Sequence, residues 1–473
     1  MKRLIYQVLP RLWRNGRFSG MDRESLRYIR SLGMDYVWFT GVIRHASRSS
    51  GEKVVKGEAG SPYAITDYFD VNPYLADVPE DRMKEFRSLL DRSHEAGLKV
   101  LLDFVPNHVA REYRGVLGRE DDRSVHWAPD NDFYYYPGQA LRLPAPCAGY
   151  EEMPARASGN VFSPAPGIDD WWETVKLNYC DFHTPTWDRM RDAVLFWAAQ
   201  GADGFRCDMV ELVPPPFLRW LIASVKERFP ETVFIAEVYQ KDKYRMYLEE
   251  VGFDYLYDKS GLYDTLRSVS CSGASAEGIS WNWQFLADMQ PRMLNFLENH
   301  DEQRVASDFF CGAPEKGYAA LAVSLLLNTA PFMLYFGQEL GERGMQQEGF
   351  SGLDGRTSIF DWCRIPALEQ PDRQVLERYR TLLSLAKTPV FARGKTYDLC
   401  YCQEAGRFDP RRHFAFLRSD GGQCRLVVAN FGDDGDIGVR IPAEALAYLG
   451  VKALRTVYTL SVPGMDCAVV PVE

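Results

Sequence analysis

Four carboxylates in this chain each stand at the end of a short apolar run, and they are the residues best suited to do chemistry. The runs are Lys99-Val-Leu-Leu-Asp103, Asp203-Gly-Phe-Arg-Cys-Asp208, Thr232-Val-Phe-Ile-Ala-Glu237 and Leu294-Asn-Phe-Leu-Glu-Asn-His-Asp301. Short apolar runs that stop at a polar group are typical of strands buried on both faces of a parallel sheet. The carboxyl ends of such strands meet at one edge, so we expect the acids to converge there.

Three of these acids, Asp208, Glu237 and Asp301, suit the cleavage of a glycosidic bond. Two carboxyl groups ~5 Å apart can cleave it with retention, one attacking the anomeric carbon while the other exchanges a proton with the leaving oxygen and then with water. The third acid would steady the charged transition state. Arg206 lies two residues before Asp208 on the same strand face, and we expect it to keep that carboxylate ionised.

Glu237 and two histidines, His108 and His300, are expected to have other roles. Glu237 follows Phe-Ile-Ala with no cation beside it in the sequence, so partial desolvation is expected to favour its protonated form, as a proton donor needs. His108 and His300 can hold sugar hydroxyls through their ring nitrogens.

The elements that must position these residues alternate between strand and amphipathic helix, which predicts an α/β fold of the (β/α)₈ TIM barrel type. The helix patterns at 81–96 and 184–200 each place apolar residues on one stripe. The predicted strands are 4–9, 36–39, 99–104, 204–207, 233–236, 253–257, 293–297 and 332–336.

Two segments depart from this alternation. Residues 108–180 are rich in Pro, Gly, Tyr and Trp without a helical period, which predicts a folded insertion beside the barrel mouth. From residue 389 the pattern becomes an alternation of apolar and polar residues with Gly-rich turns, which predicts a C-terminal antiparallel β-sandwich at 389–473. The catalytic barrel is accordingly predicted at 1–107 and 181–388.

Charge and composition exclude several classes of partner. Lys+Arg 55 against Asp+Glu 65 gives a net charge of −10, and no basic stretch is interleaved with aromatics, so neither nucleic acid nor an anionic membrane is expected to bind. The apolar stretch at 319–337 contains Pro331, which predicts a core helix at 318–327 and a buried strand after it rather than a membrane anchor.

The ten cysteines include no C-x-x-C pair near histidines, so zinc is not expected. Cys400 and Cys402 fall in an alternating stretch that reads as a strand. Free thiols, and a first strand where a signal peptide would have its apolar core, favour a cytoplasmic location.

Four short motifs show that the chain resembles the α-amylase family of retaining glycoside hydrolases. In order they are Asp103-Phe-Val-Pro-Asn-His108, Gly204-Phe-Arg-Cys-Asp208, Glu237 after its apolar strand, and Glu298-Asn-His-Asp301. The resemblance implies Asp208 as nucleophile, Glu237 as general acid/base and Asp301 as the residue that grips hydroxyls of the distorted sugar. It also implies that the insertion corresponds to domain B of the family and the sandwich to domain C. It also implies a substrate-binding set made of Tyr63, which would stack under the sugar, with His108, Arg206 and His300.

One departure from the family concerns calcium. Many members bind this ion between barrel and domain B through the equivalent of Asn107 and an acidic residue, but the chain has Lys176 in place of the acid and Leu212 in place of a frequent histidine. An ammonium group there would repel a hard cation. We therefore expect no metal and no cofactor, and our hypothesis is that Lys176 takes the cation's place and ties domain B to the barrel.

Together these features predict a retaining α-glucan hydrolase that cleaves α-1,4 links of malto-oligosaccharides or starch fragments. Ala64 follows Tyr63 where exo-acting glucosidases of the family have an aspartate, which favours longer glucans over disaccharides. One alternative is a transglycosylase or sugar mutase that uses the same covalent intermediate. Another is a non-catalytic glucan-binding protein on the same barrel.

Overall fold

The computed structural model describes residues 2–145, 147–344, 349–350, 352–403 and 406–473. The strands in chain order are β1 (Leu4–Val8), β2 (Tyr36–Phe39), β3 (Ile43–His45), β4 (Ile65–Val71), β5 (Lys99–Phe104), β6 (His108–Ala110), β7 (Tyr135–Tyr136), β8 (Ala155–Arg156), β9 (Thr174–Lys176), β10 (Gly204–Cys207), β11 (Val233–Ala236), β12 (Tyr255–Tyr257), β13 (Met293–Phe296), β14 (Phe332–Tyr335), β15 (Lys395–Asp398), β16 (His413–Ser419), β17 (Cys424–Asn430), β18 (Gly435–Arg440), β19 (Val457–Val462) and β20 (Cys467–Pro471).

The α-helices in chain order are α1 (Arg23–Ser31), α2 (Arg82–Glu95), α3 (Pro185–Gln200), α4 (Pro215–Arg228), α5 (Asp264–Ser272), α6 (Glu277–Leu286), α7 (Tyr318–Leu326), α8 (Pro366–Glu369), α9 (Arg373–Ala386), α10 (Pro389–Arg393) and α11 (Ala443–Leu449).

In the described part of the chain, eight parallel strands close into a barrel in the order β1-β14-β13-β12-β11-β10-β5-β2. The predicted TIM barrel is therefore confirmed, and its strands are the eight predicted from the sequence with ends that differ by at most two residues. All four residues of β10 and β11 are buried, as expected for strands covered on both faces. The register pairs Arg206 with Asp103 on one side and with Ile235 on the other.

Local sequence signals at the ends of helix α3 set where strand β10 begins. Helix α3 starts at Pro185, whose fixed φ suits the first turn, and ends at Gly201, whose φ of 108° lies in the left-handed region. The chain then turns into β10 and carries Asp208 to the carboxyl edge. Helix α2 buries Phe86, Leu89 and Leu90 against β5 and its neighbours.

The segment between β5 and α3 folds as a small lobe. Strand β6 pairs antiparallel with β9, and β7 pairs with β8. A separate apolar cluster fills the lobe, and it comprises Val54, Leu141, Leu143, Cys147, Ala155 and Trp172. The division of the chain at residues 108, 181 and 389 stays a prediction.

The C-terminal part consists of two antiparallel sheets, as predicted. Strands β15, β16, β17 and β20 form one sheet, and β18 pairs with β19. The two sheets share a core that includes Leu417, Val428, Ile437 and Val439. The opposite face of the larger sheet contributes side chains to the main core of the barrel.

Two smaller predictions have different outcomes. The apolar stretch near Pro331 forms helix α7 and strand β14, as predicted, and no helix among the described residues is both long and apolar enough to span a membrane. The strand predicted around Cys400 and Cys402 is wrong, because a 3-10 turn covers Cys400–Cys402. The Asp398 carboxylate accepts a hydrogen bond from the Cys400 N–H at 2.8 Å, which turns the chain at the end of β15.

Candidate active site

A single guanidinium connects the two acids that follow β10 and β11. Arg206 Nη1 lies 2.7 Å from Asp208 Oδ1, and Arg206 Nη2 lies 2.8 Å from Glu237 Oε1. Arg206 is 0% exposed, and the rings of Trp38, Tyr63 and Tyr257 surround it at 5.3 to 5.7 Å. The expectation that Glu237 has no cation beside it is wrong, because the cation comes from the neighbouring strand and not from the residues next to Glu237 in the sequence.

Two further donors hold the Glu237 carboxyl group. The Tyr239 hydroxyl donates to Glu237 Oε1 at 2.7 Å, and the Met209 backbone N–H donates to Glu237 Oε2 at 2.9 Å. Met209 has φ 43°, in the left-handed region that non-glycine residues rarely adopt. This backbone conformation directly after Asp208 directs the N–H group toward Glu237 and so links the two acids.

A series of hydrogen-bonded polar side chains holds Asp301 in place. His300 Nε2 lies 3.0 Å from Asp301 Oδ2 and also contacts the Tyr63 hydroxyl. Its other ring nitrogen accepts from Gln7 Nε2 at 2.8 Å, which leaves the proton on Nε2. The Tyr63 ring stacks on His300 with centroids 5.2 Å apart. Asp301 itself is 42% exposed at its side chain, and it faces the opening.

The loop that presents Asp301 rests on a buried ion pair. Arg304 Nη1 contacts Glu298 Oε2 at 2.9 Å, and the Val305 N–H donates to Glu298 Oε1 at 2.6 Å. Burial raises the pKa of Glu298 to about 7 although Arg304 opposes the shift. Asn299 Oδ1 accepts from the Asp301 N–H at 2.8 Å, so the whole fourth motif is anchored.

The carboxyl groups of the site have divergent pKa values. Burial raises the pKa of Asp208 well above its usual range, against the effect of Arg206 and with that of nearby Glu237 and Asp301. Burial likewise raises the pKa of Asp103 to about 6. For Asp301 burial acts in the same direction, but His300 and then Arg206 outweigh it and hold the pKa at about 2. Such a spread among neighbouring carboxyls is typical of sites that divide acid and base roles.

His108 is neutral at physiological pH. It is 3% exposed, and burial, together with Lys176 and Lys56, lowers its pKa to about 3. Its ring lies 5.2 Å from that of Trp171. A neutral imidazole can both donate and accept hydrogen bonds, which suits contact with hydroxyl groups.

A cavity of about 360 Å³ brings most of the predicted site residues together. Asp208, Glu237, Asp301, Tyr63 and His108 all line it. Arg206 and His300 do not, since Arg206 lies beneath the carboxylates and His300 lines an adjoining cavity of about 90 Å³ that also reaches Asp301. The remaining lining residues are Lys56, Ser61, Trp171, Glu173, Thr174, Met209, Tyr239, Ile359 and Phe360.

Sequence reasoning missed part of this wall. Lys56 Nζ forms an ion pair of 2.9 Å with Glu173 Oε2, and both side chains are nearly buried. Lys56 and Glu173 are far apart along the chain, so no local sequence pattern could predict that they form a pair. Tyr239 did have one, because it stands two residues after Glu237 and therefore points to the same side of an extended chain.

The place where relatives were expected to hold calcium contains an ammonium group instead. Lys176 Nζ donates to Asn107 Oδ1 and, at 2.8 Å, to the Leu212 carbonyl. Calcium needs several oxygen ligands without a competing cation, so these residues do not fit the ion. Among the described residues, no group of three or more His, Cys, Asp or Glu side chains is placed to hold a metal.

Comparison with known proteins agrees with this geometry. An α-amylase, MalA, from Haloarcula japonica is 30% identical over 446 residues, which cover 91% of this chain and 55% of the relative. An α-1,4-glucan:maltose-1-phosphate maltosyltransferase from Cereibacter sphaeroides is 27% identical over 279 residues, which cover 56% of this chain and 36% of the relative. The chain thus spans about half of the first protein and about a third of the second.

The fold has counterparts among solved structures. An α-amylase from Lactobacillus plantarum matches with a TM-score of 0.70 at 21% identity, covering 100% of this chain and 99% of that one. A family model described as the catalytic domain of α-amylase matches residues 13–377, which is most of the barrel and the whole of the candidate site. The resemblance suggested by the four motifs is therefore confirmed, and the chain belongs to the α-amylase catalytic-domain family.

Proposed function

We propose that this protein is a retaining α-glucan hydrolase that cleaves α-1,4-glucosidic bonds of malto-oligosaccharides or starch fragments. The observation that carries the proposal is the arrangement of Asp208 and Glu237 on one guanidinium, with both facing the cavity that Asp301 also lines. A shared Arg206 favours the short carboxyl separation of ~5 Å that direct attack with retention requires.

The proposed reaction has two steps. Asp208 attacks the anomeric carbon and forms a glycosyl ester, while Glu237 gives its proton to the departing glycosidic oxygen. Glu237 then takes a proton from water, whose oxygen attacks the same carbon and releases Asp208. Asp301, ionised down to a pH of about 2, accepts hydrogen bonds from sugar hydroxyls in both steps.

The position of Arg206 fits these roles. Its guanidinium contacts both Asp208 and Glu237, so one cation lies between the proposed nucleophile and the proposed proton donor. The mechanism needs an ionised Asp208, and the ion pair with Arg206 favours that form although burial opposes it. Arg206 acts through the carboxylates, since it is fully buried and does not line the cavity.

The substrate-binding roles extend this assignment. Tyr63 provides an aromatic face at the base of the cavity, held by His300, and His108 offers a neutral ring nitrogen to hydroxyls. The two relatives, an α-amylase and an α-1,4-glucan:maltose-1-phosphate maltosyltransferase, support an α-glucan as the sugar. The ammonium group of Lys176, at the position expected for calcium, supports an enzyme that is active without this ion. The ten free cysteines are consistent with a reducing, cytoplasmic location.

The decisive variant is Glu237→Gln, which keeps the shape of the side chain and removes its proton. We expect kcat on maltoheptaose to fall by about 10³-fold, as for loss of a general acid/base. Glu302→Gln is the matched control, because Glu302 is adjacent to Asp301 but bound to Lys259 outside the cavity. Sugar release unchanged by Glu237→Gln would rule out the assignment, and the absence of any sugar release by the wild type would favour a non-catalytic glucan-binding protein.

Transfer to a sugar acceptor is the second candidate, and similarity to the Cereibacter sphaeroides maltosyltransferase favours it. The covalent intermediate would be the same, but a sugar hydroxyl would replace water in the second step. Products from maltoheptaose separate the two candidates. A hydrolase releases shorter sugars alone, whereas a transferase also forms longer ones.

A further inference from the structure

A second cavity of the molecule lies between the barrel and the C-terminal sheets. Its volume is about 490 Å³, larger than that of the candidate active site, and the two cavities share no lining residue. Helix α6 forms one wall, and strand β15, the turn after it and helix α11 form the other. Five aromatic side chains line this cavity, which we call the aromatic cleft: Trp281, Trp283, Tyr397, Tyr401 and Tyr448.

Three of these rings are unusually exposed for their size. Trp281 is 67% exposed, Tyr401 65% and Tyr448 54%. Leaving large aromatic faces in water forgoes the free energy of burying them, so a cluster of such faces around one concave surface marks a place where another molecule binds.

The three tyrosine rings of the cleft are held in place by contacts with one another and with neighbouring side chains. The hydroxyl oxygens of Tyr397 and Tyr401 are 2.6 Å apart, and the Tyr401 hydroxyl lies 3.2 Å from Glu444 Oε1. The Tyr397 ring packs against that of Tyr448 at 5.6 Å, and Lys395 covers Tyr448 at 5.2 Å. Rings held in this way lose little conformational entropy when a ligand stacks on them.

The polar residues of the cleft indicate an uncharged, hydroxyl-rich ligand. Glu277, Gln284 and Asp398 line it beside Ser280, and the lining contains neither Lys nor Arg. Nucleic acid also stacks on aromatic faces but needs a cationic groove, so two carboxylates in the wall disfavour it. Sugars combine apolar C–H faces, which stack on aromatic rings, with hydroxyls that hydrogen-bond to carboxylate and amide groups.

We propose that the aromatic cleft is a second carbohydrate-binding site, which holds a segment of α-glucan on the protein while the barrel cavity cleaves another part of the chain. The choice of α-glucan rests on the proposed function, whereas the preference for a neutral sugar rests on the cleft itself. Helix α6 places Glu277, Ser280, Trp281 and Gln284 on one stripe, so one helix face supplies both stacking and hydrogen-bonding groups.

The test is calorimetric titration of maltoheptaose into the full chain that carries Glu237→Gln, so that no sugar is consumed. We expect two binding sites per chain. Adding Trp281→Ala and Tyr401→Ala should remove one of them, with affinity at the cleft weakened by about tenfold for each ring lost. Phe285→Ala is the matched control, since Phe285 is an exposed aromatic on the same helix outside the cleft. Trp281→Phe, which keeps a ring, should retain the second site.

The outcomes distinguish this proposal from the proposed function. One site that disappears with Trp281→Ala and Tyr401→Ala would support the cleft and refute glucan binding in the barrel. If Trp281→Ala and Tyr401→Ala remove no site, whether the chain has one or two, the proposed sugar site in the cleft would be overturned and the barrel assignment would stand. Light scattering on the same variants tests whether a second copy of the chain binds at the cleft instead. A dimer that dissociates when the rings are removed, without any change in sugar binding, would make the cleft a protein interface and overturn the proposal.

Discussion

At the scale of single residues, the chemistry depends on how one buried cation is shared. Arg206 contacts Asp208 and Glu237 through different nitrogens, and it lies 3.8 Å from Asp103. The planar fork of a guanidinium suits two carboxylates at once, which a lysine ammonium would not do. The same group therefore positions nucleophile and proton donor relative to each other.

Tyr239 offers a test of how the environment tunes the acid/base group. Its hydroxyl donates to Glu237 Oε1 and so fixes the position of that carboxyl group. We predict that Tyr239→Phe lowers kcat by about tenfold, because Glu237 is then held less firmly in the orientation that proton transfer needs. Steady-state rates on maltoheptaose measure this loss.

Tyr244→Phe is the control for this variant. Tyr244 is more deeply buried and near in sequence, but within the described residues its hydroxyl has no hydrogen-bond partner. Its loss should leave kcat unchanged. A Tyr239→Phe enzyme with the wild-type kcat would show that the hydroxyl does not act on Glu237.

At the scale of elements, Lys176 ties the small lobe to the barrel. It lies on β9, contacts Asn107 just before β6, and reaches the Leu212 carbonyl after β10. We predict that Lys176→Met lowers stability by about 1 to 3 kcal/mol, since the buried Asn107 side-chain oxygen and the Leu212 carbonyl lose their donor. Thermal unfolding measures this loss, with Lys53→Met, at an exposed lysine, as control.

The same lysine predicts the response to chelation. Because an ammonium group occupies the space between Asn107 and Leu212, we expect wild-type activity to be unchanged by EDTA and by added calcium. Activity that collapses in EDTA and returns with calcium would contradict this account.

A histidine at the opposite end of the barrel couples stability to pH. His94, near the end of α2, contacts Asp203 at 2.9 Å, and that hydrogen bond raises the pKa of His94 above 6.5, with burial opposing it and Asp91 adding to it. A raised folded-state pKa stabilises the protein fully below pH 6.5, and this contribution disappears as the pH rises through the folded-state value. We predict that His94→Gln lowers the melting temperature at pH 5.5 and has little effect at pH 8.5.

Asp203 also accepts a hydrogen bond from the Val100 N–H at 2.8 Å, a contact that does not involve His94. The His94→Gln protein should therefore keep the barrel intact, which its circular dichroism would verify. Equal losses of melting temperature at both pH values would assign His94 a role in packing alone.

At the scale of the whole molecule, one buried arginine joins the C-terminal sheet to the barrel. Arg418 on β16 is fully buried and donates to carbonyls of Leu326, Phe391 and Gly394 at 2.8 to 2.9 Å. The Leu326 and Gly394 carbonyls lie at or just beyond the ends of α7 and α10, and the Phe391 carbonyl lies in the last turn of α10, where the partial negative charge of a helix end favours a cation. Burial lowers the pKa of Arg418 to about 9.

We predict that Arg418→Met destabilises the protein by about 2 to 4 kcal/mol, because several buried carbonyls lose a charged donor at once. Arg425→Met is the matched control, since Arg425 stands directly opposite Arg418 on β17 and is only partly buried. Denaturant unfolding followed by fluorescence compares the two. Equal stability of both variants would show that the Arg418 contacts do not hold the C-terminal sheets to the barrel.

The barrel strands and the carboxylates at their ends were predictable from sequence, because a strand buried on both faces needs a short apolar run whatever its neighbours are. Asp208, Glu237 and Asp301 could be placed at one edge for the same reason. Alternation is a weaker signal over few residues, and around Cys400 it predicted a strand where the Asp398 side chain makes a turn.

The amino-acid sequence by itself determined the periodicity of each element and thereby the barrel and the edge at which its acids meet. Tertiary structure alone decided which distant side chains come together: Arg206 with Glu237 and Lys56 with Glu173 at the candidate active site, and Trp281 with the tyrosines of the C-terminal part around the aromatic cleft. Local patterns report on residues a few positions apart, whereas these contacts follow from strand register and from the packing of elements far apart along the chain.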